Sequence, residues 1–149
     1  MSFQTKKVIL VEDNQADLEL TRLAYGSLAP DVDLVHCHDG QALIQLLPTI
    51  DLNEICYILL DLNMPRVSGL EVLKIFQAHR EWGKIPVIVF TSSLHNQDVL
   101  QCYELRANAY VLKPLDFDVF DRTIRAIHEF WCNVNVTPDY YGYESEAEN

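Results

Sequence analysis

Glu12, Asp13, Asp61, Thr91 and Lys113 each stand at or just past the end of an apolar run: "KVILV" before the first two, "YILL" before Asp61, "IPVIVF" before Thr91 and "AYVL" before Lys113. An isolated buried carboxylate costs several kcal/mol or is forced neutral, so charges at these places need company or exposure. Three carboxylates gathered together repel one another, and one lysine does not offset them. An oxygen-rich site of this kind calls for a hard cation such as Mg²⁺, which keeps waters and binds phosphate oxygens. Beside such a cation, an ionised Asp can attack a phosphoryl group and form an aspartyl phosphate. Asp61 stands alone on its run and is the expected nucleophile, while Glu12 and Asp13 are adjacent and suited to holding metal, directly or through water. Thr91 and Lys113 are expected to donate hydrogen bonds to the phosphoryl oxygens.

These residues meet only if the apolar runs lie side by side. Residues 7–13, 57–61 and 85–93 are continuous Val/Ile/Leu runs, the signature of parallel strands covered on both faces, and "VDLVHC" (32–37) and "AYVLKP" (109–114) make five. Between them, apolar residues recur at helical spacing over 15–28, 40–47, 69–80, 96–107 and 116–131. Five β-α repeats predict an open, doubly wound parallel α/β sheet with helices on both faces. In such sheets, ligands bind outside the carboxyl ends of the strands, where the winding reverses, and all five chemical residues belong there.

The bulk composition narrows the function. A chain of 149 residues with 49% apolar and 22% charged residues is one ordinary globular domain, and no apolar run approaches the ~18 residues of a membrane span. The N-terminus lacks a signal-peptide pattern, so a cytoplasmic location is expected. A net charge of −11 argues against direct nucleic-acid binding. Cys37, Cys56, Cys102 and Cys132 are scattered and read as reduced thiols. "HCH" (36–38) offers too few ligands for a metal site, and its histidines read as ordinary strand residues. Glu12 and Asp13 also suit a simple helix cap, a reading that weakens once Asp61 and Lys113 join them.

"VED" (11–13), "LLDLNMPRVSG" (59–69), "VIVFTS" (87–92) and "AYVLKP" (109–114), in this order and spacing, resemble the receiver domain of two-component response regulators. The resemblance covers about Lys6 to Trp131 and implies a flavodoxin-like five-stranded sheet of order 2-1-3-4-5. It implies that Asp61 accepts a phosphoryl group from a histidine kinase. It further implies that Asp13, Asp61 and the Asn63 carbonyl ligate Mg²⁺ with Glu12 acting through water, and that Tyr110 is the aromatic whose rotamer follows Thr91 on activation. Glu12 stands where Asp is commoner. "EDNQADLEL", "DLNMP" and "HEFW" more narrowly resemble the small single-domain regulators of cyanobacterial phytochrome kinases.

The expected protein is therefore a signalling switch rather than an enzyme with a separate substrate. It catalyses its own phosphoryl transfer and dephosphorylation, and signals to an unnamed downstream protein through changed contacts. An aspartyl-phosphate phosphatase is the alternative, but it usually needs an acid two residues past the nucleophile, where Asn63 stands. A non-phosphorylated scaffold is a further alternative, disfavoured by a complete acceptor site. A nucleotide-binding module is disfavoured because neither G-x-G-x-x-G nor G-x-x-x-x-G-K occurs.

Three finer expectations concern geometry. The Lys113–Pro114 bond is expected to be cis, turning the chain sharply and aiming the ammonium at the cleft. Phe117, Phe120, Ile124, Ile127 and Trp131 form a stripe for covering the sheet, and Val119, Ala126 and Phe130 form a second one. That second stripe either lies under Val134 or Val136 or serves a homodimer, which the resemblance favours. A receiver domain at 6–132 is then followed by an extension at 133–149, acidic and tyrosine-bearing, partly disordered or interface-forming.

Overall fold

The structure, a computed structural model, describes residues 6–28 and 32–140. Five strands, β1 (Lys6–Val11), β2 (Val32–Cys37), β3 (Ile55–Leu60), β4 (Val87–Thr91) and β5 (Ala109–Leu112), alternate with five helices, α1 (Gln15–Leu28), α2 (Gly40–Leu46), α3 (Gly69–Ala78), α4 (Asn96–Glu104) and α5 (Phe117–His128). All pairings are parallel, in the order β2-β1-β3-β4-β5, as expected. The chain winds one way from β1 to β2 and the other way from β3 onward. The reversal therefore lies between the C-terminal ends of β1 and β3.

Burial follows strand position. β4 is buried at every residue and β1 and β3 over most of their length, whereas the edge strands β2 and β5 are mostly half-buried. Alternate residues divide between two cores. Val8, Leu10, Tyr57, Leu59, Ile88 and Phe90 pack with α1 and α5, and Ile9, Val11, Ile58, Leu60, Val87 and Val89 pack on the side of α2, α3 and α4. That two-sided burial is why the central runs carry no polar alternation.

Several expectations need correction. No cis peptide occurs among the described residues, so Lys113–Pro114 is trans. The four-carbon lysine stem supplies the reach that a backbone turn was expected to supply. The covering stripe of α5 begins at Phe120: Phe120, Ile124 and Ile127 are buried, but Phe117, the first residue of the helix, is 55% exposed. The α-helix stops at His128 and continues as a wider π-type turn, Glu129–Val134. Cys56 and Cys132 are not scattered in space, since their sulfurs lie 2.7 Å apart.

The chain beyond α5 crosses to the other core. Tyr140 is 2% exposed among the α2–α4-side residues, its N–H donates to Asn53 Oδ1 at 3.0 Å, and Asn53 Nδ2 donates to Asp139 Oδ1 at 3.3 Å. Residues 141–149, most of the acidic stretch, lie outside the described residues. Val134 and Val136 are exposed, and so are Val119, Ala126 and Phe130.

Candidate functional site

Glu12, Asp61 and Lys113 each follow a strand directly and are tied by their backbone N–H to a neighbouring strand or its end. The Glu12 N–H donates to the Cys37 carbonyl at 3.1 Å, the Asp61 N–H to the Val11 carbonyl at 3.1 Å, and the Lys113 N–H to the Thr91 carbonyl at 2.8 Å. β1 and β3 end earlier than the sequence runs, at Val11 and Leu60, which leaves Glu12, Asp13 and Asp61 in the loops that face the reversal. Thr91 is the last residue of β4.

The side chains converge. Lys113 Nζ lies 2.5 Å from Glu12 Oε1, 2.8 Å from Asp17 Oδ2 and 3.1 Å from Asp61 Oδ2. Glu12, Asp61 and Lys113 are buried, and Asp13 is exposed at the rim. One oxygen from each of Glu12, Asp13 and Asp61 lies within 4.8 Å of the others, a donor set that fits a hard divalent cation. Thr91 is fully buried, and its Oγ1 has no hydrogen-bond partner.

The electrostatics show how much strain the carboxylates bear. Burial, together with a hydrogen bond to Asp61, pushes the Glu12 carboxyl up to about 7, against the pull of Lys113. Burial alone lowers the Lys113 ammonium, but hydrogen bonds to Asp17 and Glu12 and the charge of Asp61 more than reverse this and hold it above its usual range. Lys113 is thus a cation held by three carboxylate acceptors.

Around this centre, the loop from β3 to α3 is pinned. Arg66 and Val67 have positive φ values of 41° and 57°, a conformation costly for β-branched Val67. The Gly40 N–H donates to the Val67 carbonyl at 3.2 Å, and Arg66 Nη2 lies 3.1 Å from Asp39 Oδ2. A Cβ on Gly69 would sit 2.5 Å from the Asp61 carbonyl oxygen, so Gly69 lets α3 start against the backbone of Asp61. Asn63 is exposed, and its N–H lies 3.4 Å from Asp61 Oδ1. On the other flank, Tyr110 donates its hydroxyl to the Ser93 carbonyl at 2.6 Å, two residues past Thr91.

The structure brings together Glu12, Asp13, Asp61, Thr91 and Lys113 at one end of the sheet, with Asn63 and Tyr110 on its flanks. Asp17 was missed. It lies on the first turn of α1, where one acid among several carries no distinctive signal in the sequence. The cap of α1 is neither Glu12 nor Asp13: Asn14 Oδ1 accepts from the Asp17 N–H at 3.0 Å. His36 Nε2 lies 2.7 Å from the Glu12 carbonyl oxygen, so this histidine braces the loop after β1.

The response regulator receiver domain model matches residues 8–125 of this chain. The chain belongs to the response-regulator receiver family. Among relatives of known sequence, it is 33% identical over 134 residues to the probable methanogenesis regulatory protein FilR2 of Methanothrix harundinacea, covering 88% of this chain and 86% of that one. It is 32% identical over 137 residues to the response regulator Rcp1 of Synechocystis sp., covering 89% and 93%. Among solved structures, the phosphorylated cyanobacterial phytochrome response regulator RcpA superposes with a TM-score of 0.82 at 30% identity, over 90% of this chain and 99% of that one. The Mn²⁺-bound form of Rcp1 does so with a TM-score of 0.79, over 89% and 99%. In this receiver, the sheet order and the placement of the acidic end agree with the family resemblance read from the sequence.

Proposed function

We infer that this receiver accepts a phosphoryl group on Asp61 from a histidine kinase, and passes the signal on by changing its contacts with other proteins. Lys113 supports this most directly: it is bonded at once to Asp61, Glu12 and Asp17, beside a buried Thr91 hydroxyl with no partner. Asp61 is the nucleophile. Thr91 and Lys113 hold the transferred oxygens, and the Tyr110 ring follows Thr91 when the hydroxyl turns toward them. Asp13, Asp61 and the Asn63 carbonyl would hold Mg²⁺, with Glu12 acting through water. When bound, the cation neutralises phosphoryl charge. The Mn²⁺-bound form of Rcp1 and the acidic cluster support a divalent ion here.

The catalysis is the chain's own phosphorylation and dephosphorylation. The receiver unit is 6–132, with the following residues as an extension, and the protein works in the cytoplasm. The kinase is of phytochrome type, a reading supported by the likeness to RcpA. The exposed stripe with Val119 and Phe130 serves a homodimer. Among the described residues, no helix is long and apolar enough to cross a membrane.

Phosphotransfer from a prephosphorylated phytochrome-type histidine kinase tests this reading. The expected result is loss of label from the kinase and its gain by this chain, but not by Asp61→Asn. A kinase that discharges to Rcp1 yet keeps its label beside this chain contradicts the assignment of the kinase.

A further inference from the structure

We propose that Cys56 and Cys132 form a redox-active thiol pair, which closes to an intramolecular disulfide under a peroxide oxidant and fastens the end of the receiver to its central sheet. The two residues are 76 apart in sequence, on β3 and on the π-type turn after α5, yet their sulfurs lie 2.7 Å apart. A formed disulfide has sulfurs at ~2.05 Å, so closure needs a side-chain adjustment rather than a movement of elements. Nothing in the phosphoryl site uses this pair, which sits near the opposite end of the sheet, at the second residue of β3.

Access is built in. Both sulfur-bearing residues are half-buried and line a surface cavity of about 150 Å³, together with Lys6 and Trp131. Cys132 also lines a second surface cavity, beside His128 and Asn133, and so has a second approach from solvent. Cys37 and Cys102, by contrast, are buried in the other core and have no such neighbour.

The reaction balances in two steps. The Cys132 thiolate attacks one peroxide oxygen, the O–O bond breaks, and sulfenic acid and hydroxide form. The Cys56 sulfur then attacks the sulfenic sulfur and gives up its proton, so that the S–S bond forms and water leaves. In total, two thiols are oxidised by two electrons and one peroxide is reduced to two waters. The hydrogen bond shared with Cys132, together with burial, holds the Cys56 thiol above its usual range, which suits Cys56 to the resolving role. The bond would fix the point from which the chain runs on to Tyr140, and closing so long a loop restricts the unfolded chain strongly.

The test treats the whole chain with hydrogen peroxide, blocks remaining thiols with an alkylating agent under denaturing conditions, and maps unreduced peptides by mass spectrometry. A Cys56–Cys132 cross-linked peptide from monomeric protein is expected, two hydrogens lighter, with Cys37 and Cys102 alkylated. Dithiothreitol reverses it, and Cys132→Ser abolishes it. The oxidised wild type should also unfold at higher denaturant than the reduced protein. Full alkylation of both cysteines, sulfinic acid on Cys132 without a cross-link, or a disulfide between two chains would each overturn the proposal. This outcome is independent of phosphoryl transfer to Asp61.

Discussion

Glu12 is the site residue whose charge the fold leaves in balance. Its carboxyl is raised to about 7 by burial and by Asp61, so the folded chain holds a proton that the unfolded chain releases near its ordinary value of 4.5. The stability this supplies is complete below the unfolded value and is lost as pH rises through the folded one. In the presence of a chelator, the urea midpoint of the wild type should therefore fall between about pH 4.5 and pH 7, and Glu12→Gln should flatten this fall. Equal slopes in both proteins would refute it. Gly69 makes a second residue-scale prediction. Gly69→Ala drives a methyl against the Asp61 carbonyl, and should cost about 1–3 kcal/mol in chemical unfolding and slow phosphoryl acceptance at least tenfold. An unchanged phosphorylation rate would show that the loop absorbs the methyl. The charged site residues were legible because a polar side chain at the end of a buried run is conspicuous in sequence. Asp17 and the pinned Val67 loop were not, because helix-surface acids and positive φ values at non-glycine residues leave no distinctive pattern.

Elements were legible in proportion to how much burial shapes them. β1, β3 and β4 announce themselves because both faces are covered, and helix α1 was read to its bounds because its apolar stripe is continuous. The lysine turn after β5 was misread, since the position of an ammonium says nothing of whether stem or backbone carries it there. Periodicity also fades after Trp131, so the sequence gives no hint that the next stretch crosses the molecule to bury Tyr140. If that crossing anchors the extension, Tyr140→Ala should destabilise the fold by about 3 kcal/mol in chemical denaturation, the range for removing a buried aromatic. A loss below about 0.5 kcal/mol, typical of a surface substitution, would mean that the extension is not part of the folded unit.

At the scale of the whole molecule, two ends of one sheet carry different chemistry: carboxylates and Lys113 outside the strand C-termini, and two thiols near the strand N-termini. The proposed homodimer would use the exposed stripe of α5 that carries Val119 and Phe130. Light scattering at tens of micromolar should show a dimer for the wild type and a monomer for Phe130→Asp, whereas a monomeric wild type would remove the dimer. The central claim is that Asp61 is the residue that reacts. Its most direct test is intact-mass spectrometry after incubation with Mg²⁺ and acetyl phosphate, run beside an Asp61→Asn variant whose circular dichroism matches the wild type. The wild type should gain one phosphoryl group and the variant none; a variant that gains it at the wild-type rate would contradict the assignment.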